Sequence, residues 1–101
     1  MEELVRQLKA LADPSRLRVA HLLSRGELTV SELVHILGQS QPRVSRHLKL
    51  LTDANLAERM PEGAFVFYRL TGQGAGKRLA ALISEFVADD DPSMRRDLER
   101  L

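Results

Sequence analysis

Few side chains in this sequence could do chemistry, and most stand at the wrong spacing for it. Ser45 and His47 lie two residues apart; on a helix such neighbours point away from each other, so they form no nucleophile–base pair. His21 and Ser24 stand at i, i+3 and can meet, but no carboxylate is placed nearby to orient the imidazole. Asp89, Asp90 and Asp91 lack the alternating ligands and glycine of a calcium loop and read as a solvated hinge. Gly72, Gly74 and Gly76 resemble a dinucleotide-binding glycine pattern at a glance. The third glycine is misplaced, however, and no strand–turn–helix crossover surrounds them. There is no cysteine, hence no disulfide, thiolate ligand or thiol switch. His21, His35 and His47 fall on three predicted helices, the first two as ordinary part-buried side chains. The expectation is no catalytic residue, no metal and no cofactor.

One stretch remains, SQPRVSRHLKLL at positions 40–51. Ser40 is a helix N-cap and Pro42 sits in the first turn, where a missing N–H costs little. Val44, Leu48 and Leu51 recur at i, i+4 and i+7 as one apolar stripe. Away from it lie Ser45, Arg46 and Lys49, with Arg43 flanking and Gln41 and His47 at the borders. No acid occurs between Ser40 and Thr52. A face of hydrogen-bonding groups and positive charge fits a polyanion. A helix that enters the major groove of double-stranded DNA needs short polar residues near its N-terminus to reach base edges. Gln41 and Ser45 are of that type, His47 is the histidine best placed for a role there, and Arg43, Arg46 and Lys49 can pair with phosphate or guanine. The alternative is a basic surface helix, or one that docks on an acidic protein.

The flanking elements suit the first reading. Leu4, Leu8 and Leu11 predict a helix over 2–12. Asp13 and Pro14 end it and open another over 14–25, with Leu17, Ala20, Leu22 and Leu23 inward and Gly26 as its stop. Thr29 and Glu32 form a capping box for a third helix carrying Leu33, Val34 and Leu37, which Gly38 ends. Two helices joined by a short glycine-containing turn form a helix-turn-helix. Residues 56–60 and 65–70 read as a β-hairpin around a turn at 61–64. That hairpin makes a wing, with Arg59 and Arg69 as phosphate contacts or as a solvated strand edge. Thr71 is expected to cap a last long helix over 72–88 with the stripe Leu79, Leu82, Ile83 and Phe86. Asp91-Pro92 should open a short tail helix over 92–100. The fold class is mainly α with a small β-hairpin, a winged helix-turn-helix over 1–88 followed by an acidic hinge and short helix over 89–101.

Composition sets the outer bounds. At 101 residues the chain is one domain or a piece of a longer protein. Net charge is +1, but residues 85–101 hold six acids against three bases, leaving 1–84 with eight acids and twelve bases. No apolar run approaches a membrane span, and the acid-bearing N-terminus is not a signal peptide. A cytoplasmic protein without membrane contact is expected.

The order of these elements, with Leu8-Lys-Ala-Leu-Ala-Asp-Pro-Ser-Arg16-Leu, Glu32-Leu33, the words of 40–51, Glu62-Gly63 and Tyr68-Arg69-Leu70, resembles the ArsR-type winged-helix repressors over about residues 4–71. The resemblance implies a homodimer that binds palindromic operator DNA and is released by an inducer. It implies pairing through the first and last long helices, here Leu4, Leu8, Leu11, Leu79, Leu82, Ile83 and Phe86. The family's reading-helix motif falls on Ser40, Gln41, Val44, Ser45, His47 and Leu48. Departures concern the inducer. Leu28-Thr-Val-Ser31 stands where metalloid sensors of the family carry cysteines, and the last long helix lacks the histidines of zinc sensors. A small organic effector is therefore expected. The tail, 90–101, also looks like the joint that precedes a methyltransferase domain in longer chains, so a dimerisation and docking module for such an enzyme is the alternative function.

Overall fold

The computed structural model describes residues 1–87 and 91–101. Its elements are α1 (Glu2–Leu11), α2 (Pro14–Arg25), β1 (Leu28–Thr29), α3 (Val30–Leu37), α4 (Gln41–Asp53), β2 (Ala57–Glu62), β3 (Phe65–Leu70), α5 (Gly74–Phe86) and α6 (Pro92–Arg100). The helix starts follow from local chemistry. The Asp13 carboxylate accepts the Arg16 N–H ahead of Pro14. Thr29 and Glu32 complete the capping box, and Ser40 accepts the Arg43 N–H. Asp91 caps α6, accepting from the Ser93 and Met94 N–H groups. Asp89 and Asp90 lie outside the described residues.

The strands form one antiparallel sheet in the order β1-β3-β2. The hairpin turn is tighter than the sequence suggests. Pro61 and Glu62 continue β2, Glu62 pairs with Phe65, and only Gly63 and Ala64 turn. Gly63 has φ +60°, the sign that a two-residue hairpin loop requires at its first position. β1 has no hydrophobic signature of its own; its two residues are strand only because Tyr68 and Phe67 pair with them.

Leu22, Leu33, Val44, Leu48, Leu51 and Leu56 are fully buried and form the core between α2, α3, α4 and the base of the wing. Arg16 ties α2 to the end of α1, its Nε donating to the Ala10 carbonyl at 2.6 Å. The tail helix folds back on the body. Met94 and Asp97 are buried, and Asp97 accepts two 2.7 Å bonds from the Arg18 guanidinium, while Arg100 donates to the Ile36 carbonyl of α3.

Three expectations change. Thr71 does not cap the long helix; its hydroxyl donates to Glu58, and α5 begins at Gly74 behind Gln73, which offers no side-chain cap. Leu11 belongs to the core rather than to an exposed stripe. His35 is exposed, although His21 is buried. The molecule is a slab with principal extents of 35 × 35 × 21 Å.

Candidate nucleic-acid interface

The geometry of the reading unit is set by what flanks α4. Gly38 ends α3 in the left-handed region at φ +67°, where glycine carries no Cβ penalty. Gln39 then donates from Nε2 to the Ser15 hydroxyl at 2.8 Å, pinning the turn to the start of α2. Ser40 caps α4, whose inner face of Val44, Leu48 and Leu51 is sealed in the core. Burial on that side fixes the rotation of the helix and leaves Gln41, Arg43, Arg46 and Lys49 exposed, with Ser45 half-buried between them.

These groups are partly organised already. The Gln41 amide donates to the Ser45 hydroxyl at 2.8 Å, one helical turn away. Arg43 and Arg46 make no ion pair among the described residues. Lys49 reaches Asp53 at 3.0 Å, but both side chains are mostly in solvent, so the pair is weak and easily exchanged. An anion near the helix start therefore meets two unopposed guanidinium groups and a serine–glutamine pair.

His47 departs from the expected position. It is only 8% exposed, lies beneath α4 near Asp13 and Arg16, and neither ring nitrogen has a hydrogen-bond partner. Burial pushes its pKa below the ordinary imidazole value. The Asp13 charge works the other way, and the charges of Arg16, Arg43 and Arg46 add to the lowering. A neutral, buried imidazole is a packing group and presents nothing to a base edge. Asp13 itself is partly opposed by burial, but the Arg16 N–H and guanidinium charge hold its carboxyl below the usual value.

The wing arginines differ from each other. Arg59 is exposed on β2 and forms no ion pair among the described residues. Arg69 is held by Glu58 at 3.0 Å, with Glu27 at 3.9 Å. That bond from Arg69, with others from Gly72 and Thr71, keeps the Glu58 carboxyl below its ordinary pKa. Arg69 thus braces the base of the wing. At the tip stand Glu62, Gly63, Ala64 and a 64% exposed Phe65, with no cation. Sequence reasoning missed Ser15 and Gln39, which place the turn. Both residues are visible, but their partnership spans 24 positions and carries no local signal.

On α1 and α5 the apolar residues divide. Leu4, Leu8, Leu82 and Phe86 are exposed, while Leu79 and Ile83 are half-buried against the core. Among the described residues, no group of three His, Cys, Asp or Glu side chains could hold a metal ion, and no helix is long and apolar enough to cross a membrane.

A helix-turn-helix with a cation-bearing second helix and a β-wing is the architecture of winged-helix DNA-binding regulators. Residues 13–59 match the model of the bacterial regulatory protein, arsR family. A biofilm growth-associated repressor of Agrobacterium fabrum is 37% identical over 84 residues, covering 83% of this chain and 72% of that protein. The chain belongs to the ArsR family of DNA-binding transcriptional repressors. The arsenic resistance transcriptional regulator ArsR1 of Pseudomonas putida is 48% identical over 63 residues, which are 61% of this chain and 49% of that one. The match therefore spans about half the length of that relative. The solution structure of a homodimeric winged helix-turn-helix DNA-binding domain from Mycobacterium bovis, a possible ArsR-family regulator, superposes with a TM-score of 0.76. It is 30% identical and covers 89% of this chain and 82% of that one. The tail's likeness to a joint before a methyltransferase finds no support among these relatives, which are regulators.

Proposed function

We propose that the chain acts in the cytoplasm as a homodimeric repressor, with α4 of each protomer in the major groove of one half of a palindromic operator. The observation that carries this is the outer face of α4. There the Gln41–Ser45 pair and the unopposed Arg43 and Arg46 stand together on a helix whose rotation the core fixes. Arg59 extends the cationic track onto the wing. The homodimeric Mycobacterium bovis domain supports the assembly, and the exposed residues Leu4, Leu8, Leu82 and Phe86 supply an apolar face for it, flanked by Leu79 and Ile83.

Binding to duplex DNA should weaken steeply with added salt, as phosphate contacts require. Gln41→Ala and Ser45→Ala should each relax sequence preference, since a base contact discriminates by about 1–3 kcal/mol. Arg46→Ala should weaken binding to all sequences and reduce the salt slope by about 1. Selection of bound fragments from random DNA reads all three, and an unchanged preference in both alanine variants removes α4 as the reading element.

The releasing signal in this reading is a small organic molecule. Zinc typically takes four Cys, His or carboxylate ligands, and thiol-seeking arsenite has no thiolate here. Zinc, cadmium and arsenite at stoichiometric levels should neither bind tightly nor free the DNA. Calorimetric titration beside a DNA-release assay decides it; one-to-one zinc binding tighter than micromolar that frees DNA overturns the non-metal signal.

A further inference from the structure

A cleft of about 710 Å³ opens between α1, the corner after α4 and the start of α5, with Gln7, Asn55, Glu58 and Gln73 among its walls. Its surroundings are unusual in three connected ways. Gln7 is 2% exposed and lines the cleft, yet its amide hydrogen-bonds to no other group among the described residues. Gln7 is not among the fully enclosed unpaired polar atoms, so its amide reaches the cleft and is free to bond whatever fills it. Beside it, the first turn of α5 has no side-chain cap, so its N–H groups and the positive end of the helix dipole are left to whatever occupies the cleft. The two features meet at Gly76. A Cβ there would stand 2.4 Å from the Asn55 carbonyl oxygen and 3.4 Å from Gln7 Nε2, so only glycine lets the three segments close together.

The polar groups also say what cannot fit. Glu3 and Glu58 line the same cleft and oppose a simple anion. They are not equivalent. Glu58 is already engaged by Arg69, Thr71 and Gly72. Glu3 holds only the Asn55 amide, at 2.7 Å, and keeps acceptor capacity. The cleft therefore brings together helix and amide N–H donors, the Glu3 carboxylate with free acceptor capacity, and the apolar Leu4, Ala57 and Ala75.

Building on the repressor reading, we propose that this cleft is the effector site and that it takes a small zwitterion of the free α-amino acid class. The ligand's carboxylate meets the α5 N–H groups and the Gln7 amide, and its ammonium meets Glu3. Such a ligand bridges α1 and α5, the helices of the proposed subunit interface, to the Asn55–Glu58 corner that joins the reading helix to the wing. Occupancy thereby biases the relative setting of the dimer and the DNA-binding elements.

The test uses the full chain with the twenty standard L-amino acids, and acetate and methylamine as half-ligands, by calorimetry and by DNA release. The expected result is saturable one-to-one binding of one amino acid or a related few at up to millimolar concentration, with both half-ligands weaker by about tenfold or more. Gln7→Leu and Glu3→Gln should each lower that affinity about tenfold while leaving DNA binding without ligand unchanged. No binding across the panel, or binding that neither variant weakens, overturns the site. Acetate binding as tightly as the amino acids overturns the zwitterion. Binding without any change in DNA affinity overturns the regulatory role. Failure of the ligand-free chain to bind DNA would sink the repressor reading instead, and calorimetry on the same sample judges the cleft independently.

Discussion

His47 places two ring nitrogens without hydrogen bonds in the seam beneath α4, and that has a measurable pH consequence. Burial is the main cause that lowers its folded pKa. The unfolded chain therefore takes up the proton first, near pH 6.5. Stability is full above that value and drains as pH falls toward the lower folded value. The melting temperature should drop between about pH 7 and pH 5, and His47→Leu should flatten that part of the profile; an equally steep profile in the variant refutes the assignment. On the outer face, Gln41 and Ser45 share a hydrogen bond, so their effects on DNA preference should not add. The double alanine variant should lose less than both single losses together, with a coupling of about 0.5 kcal/mol or more, measured on a fixed operator. Residue types alone located the basic helix and its cap. They did not locate His47, because a wheel puts it at the border and the packing of α2 against α4 decides which side it takes.

Among the elements, α6 is the one whose role the sequence least declares. Its start was legible in Asp91-Pro92-Ser93, as were the other capped starts, because capping is local chemistry. Its docking was not, since Arg18 and Asp97 are 79 positions apart. Asp97 is 0% exposed, so its charge is tolerable only with the bidentate guanidinium in place. Arg18→Ala should destabilise the fold by about 3–5 kcal/mol, the usual result of stranding one partner of a buried pair, unless α6 detaches and limits the loss. Denaturant unfolding gives the first number, and rapid hydrogen exchange confined to α6 identifies the second route. The paired replacement Arg18→Met with Asp97→Leu should restore most of the stability. The same non-local logic hid β1 and displaced the start of α5. Two residues become a strand through β3, and Thr71 is taken by Glu58 before it can cap anything.

At the scale of the whole molecule, amphipathic stripes are ambiguous. Leu11 and Leu82 look alike on a helical wheel, yet one is in the core and the other is 49% exposed. In the proposed dimer, Leu82→Asp would bury an unpaired charge at the interface. Sedimentation should find monomer or insoluble protein, and a soluble, fully dimeric variant moves the interface elsewhere. The slab shape carries a last consequence. Two bodies of 35 × 35 × 21 Å laid side by side along a duplex reach about 70 Å, or about twenty base pairs. In the proposed dimer, half-sites about one helical turn apart keep both protomers on one side of the duplex. Hydroxyl-radical cleavage of the occupied operator should be suppressed in patches about ten base pairs apart, with the far side cut as in naked DNA. That open side leaves room for a second protein to sit on the same base pairs.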